Sequence, residues 1–175
     1  LNESLADSSI QFVPVRHEQG GAYMADAYGR LTGRAGVCLG TLGPGATNLI
    51  TAVADATLDR APLVALTGQS DLGRMHKESH QYIDLIGIMR PVTKWNARVS
   101  SPEIVPEVVR KAFKVAESEK PGSTHLELPE DVMGKPLDAE PLPRRKPVAP
   151  EPGARDLLRA ADVIRNSLNP IVLVG

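Results

Sequence analysis

The chain has 175 residues, 42% of them apolar and 23% charged, and its 20 Lys+Arg against 21 Asp+Glu leave a net charge of -1. That suffices for one packed domain of ordinary size with a small appendage, and a disordered chain is not expected. The near-neutral charge and the 3% of aromatic residues argue against a basic nucleic-acid groove or a base-stacking platform. Cys38 is the single cysteine, which excludes an internal disulfide framework and a cysteine-built zinc site. No apolar run approaches the ~20 residues of a membrane span. Position 1 is Leu1 rather than Met, with no basic and apolar leader behind it, so the expectation is a cytoplasmic protein and a piece of something longer.

In chain order, residues 11–15 predict a short strand, and 17–31 a helix of mostly small residues closed by Gly33. Residues 36–41 form a continuous apolar run of the buried-strand kind. After Gly43-Pro44-Gly45, residues 46–58 follow a helical pattern, and 62–67 are a second buried strand. Residues 91–97 predict a further strand and 101–119 a helix, with Ser101 as N-cap and Pro102 at the first helical position. Residues 123–128 alternate like a strand that ends at Pro129. Strands and helices taken alternately imply a parallel sheet with helices on both faces.

Eight of the 15 prolines fall between Pro121 and Pro152, and the stretch 136–152 has little apolar periodicity. It reads as an extended surface linker, whose Arg144-Arg145-Lys146 triplet is solvated and flanked by Asp138, Glu140 and Glu151. Beyond it, 153–168 predict an amphipathic helix with Leu157, Leu158, Ala161 and Ile164 on one face, and 171–175 a buried strand.

Three clusters could carry chemistry. Arg16-His17-Glu18-Gln19 stands where the first strand meets a helix, and the open end of a parallel sheet is where such folds place ligands. A glutamate at a helix start also simply favours the helix dipole, and the residues alone leave both readings open. His17-Glu18 begins like a zinc-protease motif, but the second His would fall at Gly21. Residues 40–48 run from a strand into a helix. Gly40 and Gly45 have the P-loop spacing, yet Ala46 stands where the Lys is needed, and Gly43-Pro44-Gly45 lacks the third glycine of the dinucleotide fingerprint. What remains is a tight turn that lets a flat group approach the backbone, with Asn48 in the first helical turn, or a plain strand-to-helix turn. His76 and His80 are four apart and could share a metal on one helix face; Glu78 does not point the same way, and loop residues are the plainer reading. Asn2-Glu3-Ser4 matches a glycosylation acceptor, which means little without a secretory leader.

Order and spacing together are more specific. Arg16-His17-Glu18-Gln19, Ala25-Asp26-Ala27-Tyr28-Gly29-Arg30, Gly43-Pro44-Gly45-Ala46-Thr47-Asn48, His80-Gln81, Pro91-Val92-Thr93-Lys94, Lys120-Pro121-Gly122 and Leu128-Pro129-Glu130-Asp131 succeed one another along the chain. The series resembles the pyrimidine-binding domain of thiamine-diphosphate enzymes, with the acetolactate synthases nearest in pattern. The resemblance implies an α/β fold with a parallel sheet and helices on both faces, followed by the start of a second α/β domain. Residues 1–132 would be the pyrimidine-binding domain lacking its first strand, 133–152 a linker, and 153–175 the opening of a truncated central domain.

The resemblance also implies roles. Glu18 would hydrogen-bond the aminopyrimidine ring from a desolvated pocket, keeping a raised proton affinity and sharing a proton with a ring nitrogen. Gly43, Pro44, Gly45 and Asn48 would line the pyrimidine pocket. Gln81 would face the reacting centre as the second catalytic residue, with His80 as its structural neighbour; Lys94 is a surface residue at a strand end. The cofactor would be thiamine diphosphate, with Mg2+ held through a domain this chain does not contain. Lys120 stands where flavin-containing relatives carry Arg, which argues against FAD. The implied activity is carboligation or lysis of 2-oxo acids, with acetolactate synthase (two pyruvates to 2-acetolactate plus CO2, toward branched-chain amino acids) placed first, in a homodimer or homotetramer. The segment alone is expected to be inactive. Glyoxylate carboligase, 2-oxo-acid decarboxylase, pyruvate oxidase and sulfoacetaldehyde acetyltransferase are alternatives within the class. A non-catalytic dimerisation module and a flavodoxin-like nucleotide binder are alternatives outside it.

Overall fold

The computed structural model describes residues 2–77, 80–144, 148 and 150–173. A short helix, α1 (Asn2–Ala6), precedes α2 (Glu18–Thr32), whose boundaries follow from capping. His17 is extended and its Nδ1 accepts from the Gln19 N–H at 3.2 Å, while Gly33 turns left-handed at φ 65° and donates to the Gly29 carbonyl. The buried face of α2 carries Ala22, Ala25, Asp26 and Gly29. Arg30 ties α2 to the end of the next helix, reaching Asp26, Asp55 and Asp59.

Four strands form one sheet: β1 (Gly36–Gly40), β2 (Leu63–Gln69), β3 (Trp95–Arg98) and β4 (Ser123–Pro129). Their order is β1-β2-β4-β3 and every pairing is parallel, with Cys38 beside Ala65, Ala65 beside His125 and Asn96 beside His125. Parallel neighbours require crossovers, which α3 (Pro44–Leu58) supplies between β1 and β2 and α5 (Val105–Glu117) between β3 and β4. The short α4 (Leu85–Met89) lies between β2 and β3, and α6 (Glu130–Met133) follows β4 directly.

The period-two alternation of β2 divides the core in two. Leu63 and Ala65 pack with Ala22, Leu49, Ala52, Val53 and Ala56 of α2 and α3. Val64 packs on the opposite face with Leu126, Ala112 and Ala116, bordered by Leu66, Phe113 and Leu128. Helices therefore cover both faces, as the alternating pattern requires.

The structure corrects several expected elements. Residues 11–15 form no strand; Phe12 is 58% and Val13 50% exposed. A strand exists only through a ladder partner, and β1 pairs with β2 alone among the described residues. The strand expected over 91–97 begins only at Trp95, because Pro91, lacking an N–H, opens a 3-10 turn over Arg90–Val92. The helix expected from Ser101 is interrupted in the same way. Pro102–Ile104 is a 3-10 turn, α5 starts at Val105 with Pro106 in its first turn, and the Ser101 side chain makes no cap bond to the backbone.

Past α6, residues 135–144 have no regular structure, and Arg144 pairs with Glu117 of α5 at 2.8 Å. Arg145 and Lys146 lie outside the described residues. Helix α7 (Ala154–Arg165) is shorter than the expected 153–168 and buries none of its residues; Leu157 and Leu158 are 55% and 67% exposed. Residues 171–173 are not a strand, and Val174 and Gly175 are outside the described residues. No helix is long and apolar enough to cross a membrane.

Candidate active site

The residues singled out by sequence meet where β1 and β2 end. Gly43 sits at the N-cap of α3 with φ 57° and ψ -122°, a conformation open to glycine and strained for other residues, and Pro44 opens the helix behind it. A Cβ at Gly43 would lie 2.6 Å from the Gln81 carbonyl oxygen and 2.7 Å from the Gln81 Cβ. The turn and Gln81 thus press backbone to backbone. Gln81 is itself left-handed at φ 59°, uncommon for a residue with a side chain.

Glu18 reaches the same turn from the first position of α2. A Cβ at Gly45 would lie 2.6 Å from the Thr41 Cγ2 and 3.3 Å from Glu18 Oε1. The Asn48 amide, one turn further along α3, donates to Glu18 Oε2 at 3.0 Å. Glu18, Gly43, Pro44, Gly45, Asn48 and Gln81 therefore form one cluster at the C-terminal edge of the sheet. His80 is exposed beside Gln81.

The electrostatics of Glu18 correct one expectation. Its side chain is half-buried rather than sunk in a desolvated pocket, and the Asn48 amide, then its own backbone N–H, hold its carboxyl below the usual glutamate range. A donor to the charged form outweighs the small desolvation present here. Glu18 is consequently ionised at neutral pH, with Oε2 occupied by Asn48 and Oε1 facing the bare Cα of Gly45.

Other candidates fall elsewhere. His76 and His80 join no group of three or more His, Cys, Asp or Glu able to hold a metal among the described residues, and Glu78 lies outside them. Lys94 is an exposed residue immediately before β3, as expected, and it is also tethered. Its Nζ donates to the Val115 and Ser118 carbonyls at 2.6 and 2.8 Å, tying down the end of α5, and burial lowers its pKa. Lys120 lies at the opposite edge of the sheet from Glu18, beside Thr57, Arg60 and Lys94 in an open cleft of about 750 Å³.

Sequence reasoning missed a buried polar set next to the site: Thr67, Gln69, His125 and Glu127, each at most 2% exposed. Gln69 Nε2 donates to Glu127 Oε1 at 2.8 Å and to the Ile83 carbonyl at 3.0 Å, and Arg98 pairs with Glu127 Oε2. His125 Nε2 and the Thr67 hydroxyl are 2.8 Å apart. The available signal was polar residues two apart inside apolar strands, which places them on one face.

A single bare-backbone turn beside an ionised carboxylate fits a flat, nitrogen-rich ring. Residues 1–88 match the family model described as thiamine pyrophosphate enzyme, N-terminal TPP binding domain. The acetolactate synthase large subunit of Corynebacterium glutamicum is 40% identical over 175 residues, 97% of this chain and 28% of that protein. The catabolic acetolactate synthase of Raoultella terrigena is 42% identical over 176 residues, 99% of this chain and 31% of its own length. An acetolactate synthase of Mycobacterium bovis is 41% identical over 179 residues, 99% of this chain and 29% of its own length. The chain thus spans about three-tenths of the length of these curated relatives. Parallel sheet, turn and sequence agree, and the chain belongs to the family of N-terminal TPP-binding domains of thiamine pyrophosphate enzymes.

Proposed function

We propose that the chain is the pyrimidine-binding part of an acetolactate synthase, which joins two 2-oxo acids with loss of CO2. The observation that carries the reading is the Glu18 carboxylate held by Asn48 over the Gly43-Pro44-Gly45 turn, with Gln81 packed on the same turn. A β-carbon at Gly45 would intrude between Thr41 and Glu18, so the glycine keeps open the surface on which a planar ring would lie. When bound, thiamine diphosphate supplies the electron sink for carbanion chemistry at the 2-oxo acid.

The chain's own residues do the rest. Asn48 fixes the rotamer of Glu18 by occupying Oε2. Oε1 is left to accept a proton-bearing ring nitrogen and to hold or return that proton. Covering Oε1 removes water from the carboxylate and raises its proton affinity from the low value set by Asn48, toward the range in which a proton can be shared. Gln81 offers an amide donor and acceptor on the exposed side of the turn, toward the 2-oxo acid.

In this reading residues 1–132 form the pyrimidine domain, 133–152 the linker and 153–175 the start of a central domain, whose core would bury the exposed apolar face of α7. Mg2+ and the diphosphate are held by another domain of the full-length protein. Lys120, at the far edge of the sheet, gives no planar fork for a flavin, and FAD is not required. A homodimer or homotetramer would complete the site; Tyr23, Met24, Tyr28 and Leu31 on the outer side of α2 are 39–86% exposed and offer an apolar surface for it. The same surface would serve a non-catalytic dimerisation module, and turnover separates the two.

The test is Glu18→Gln in the full-length protein carrying this chain, assayed with pyruvate. The glutamine oxygen still accepts from Asn48, so folding is preserved, while loss of the exchangeable proton lowers turnover by about 100-fold or more. Near-normal acetolactate formation would remove Glu18 from this role.

A further inference from the structure

The sheet face beneath residues 83–89 carries polar side chains that the chemistry at Glu18 leaves unused. Asn96 Nδ2 donates to the Ile86 carbonyl at 2.7 Å, and Gln69 Nε2 donates to the Ile83 carbonyl at 3.0 Å. Both acceptors belong to the segment that begins at Gln81, and Asp84 caps α4 within it by accepting from the Gly87 N–H at 2.9 Å.

The orientation of Gln69 is over-determined. Its two amide protons go to Glu127 Oε1 and to Ile83 O, and its Oε1 accepts from the Ser70 N–H at 2.9 Å. A flipped amide would set its oxygen against a carboxylate and a carbonyl and its NH2 against an N–H, so the flip is closed to it. Glu127 is completely buried and can direct Gln69 only because it is itself charge-paired, with Arg98 on the neighbouring strand in direct register. The chain of bonds thus runs from Arg98 through Glu127 and Gln69 to a carbonyl two residues beyond Gln81. From the other side Gln81 meets Gly43, and it keeps a left-handed backbone that is uncommon for a residue with a side chain.

We propose that Gln69, oriented by the Glu127–Arg98 pair, is a positioning residue that sets the pose of Gln81 by holding the Ile83 carbonyl. The proposal rests on the reading of Gln81 as the group facing the 2-oxo acid. Gln69 is buried with its amide wholly engaged by Glu127, Ile83 and Ser70, and its effect passes through the 81–83 backbone. Freed from its anchor, the segment can relax Gln81 out of its left-handed conformation and withdraw the amide from the turn.

The experiment is a double-mutant cycle on kcat in the full-length protein with pyruvate: wild type, Gln69→Met, Gln81→Ala and both together. Methionine keeps the volume of Gln69 and removes its hydrogen bonds. The expected result is a loss of kcat in Gln69→Met approaching the ~100-fold that a misplaced reacting group costs, and a further change of less than about 3-fold when Gln81 is already alanine. Equal losses in both backgrounds would make Gln69 merely structural and overturn the proposal. So would unchanged kcat in Gln69→Met while Gln81→Ala is impaired, and in either case the reading of Gln81 would survive. Unchanged kcat in Gln81→Ala would instead refute that reading, and the positioning role with it. If Gln69→Met does not fold, Glu127→Gln takes its place in the cycle, since it keeps an acceptor for Gln69 while losing the charge that prevents the flip. A kcat loss abolished in the Gln81→Ala background supports the proposal, and wild-type kcat or an additive loss overturns it.

Discussion

Replacing Gly43 by alanine should damage the turn at the heart of the site. The backbone there has φ 57° and ψ -122°, and holding a residue with a Cβ in such a region costs of order 1–3 kcal/mol. The added methyl would also lie 2.6 Å from the Gln81 carbonyl oxygen, a backbone atom that cannot swing aside like the end of a flexible side chain. Relieving that overlap requires the 80–82 or 41–44 backbone to shift, which adds overpacking strain, for a total of about 2–4 kcal/mol. The matched control is Gly20→Ala. Gly20 lies inside α2 with nothing within 4 Å of its would-be Cβ, and alanine there should stabilise by about 0.5–1 kcal/mol through helix propensity. Equilibrium urea unfolding of the chain, followed by far-UV circular dichroism, measures both. A Gly43→Ala variant within about 0.5 kcal/mol of wild type would refute the argument, because neither the backbone strain nor the contact with Gln81 could then be real.

Leu126→Ala should cost about 2–5 kcal/mol in the same urea assay, because Leu126 is fully buried against Val64, Ala112 and Ala116 in the centre of the sheet and its removal leaves a cavity. Acid should weaken the fold through His125, whose imidazole is pushed by burial from an ordinary 6.5 down to about 4. Between those values the unfolded chain binds the proton and the folded one does not, so this contribution is complete above about pH 6.5 and is lost as pH falls through 4, at most about 3 kcal/mol. Unfolding measured across pH 4–7 should show a shallower slope in His125→Gln than in wild type, and equal slopes would dismiss His125 as the source.

Much of the sheet was legible because its signals are local. The apolar runs at β1 and β2, the small-residue face of α2, the Gly33 stop and Pro44 at the start of α3 each act within a few residues. The failures are equally physical. The 11–15 run has strand character but no ladder partner among the described residues, and Pro91 and Pro102 each stand in a 3-10 turn that delays the start of an expected regular element. The cluster at residue 18 could be foreseen through the ordered series of motifs, not through any one of them, since a helix-start glutamate and a Gly-Pro-Gly turn each have a plainer explanation.

Composition, periodicity and capping settled the fold class, because it depends on near neighbours and on burial averaged over a segment, while the residues brought to the end of the sheet were foreseen only through the family resemblance of the ordered motifs. The state of those residues depends on contacts that no short window contains. Asn48 lowers the proton affinity of Glu18 from 30 residues away, and Gln69 finds Glu127 across 58. Proton affinity and amide orientation are set by whichever donors and charges the folded chain places within about 3 Å. Only the packed sheet could bind a foreseen glutamate to Asn48, lowering its proton affinity further, and bring an unforeseen glutamine beneath the Gln81 segment.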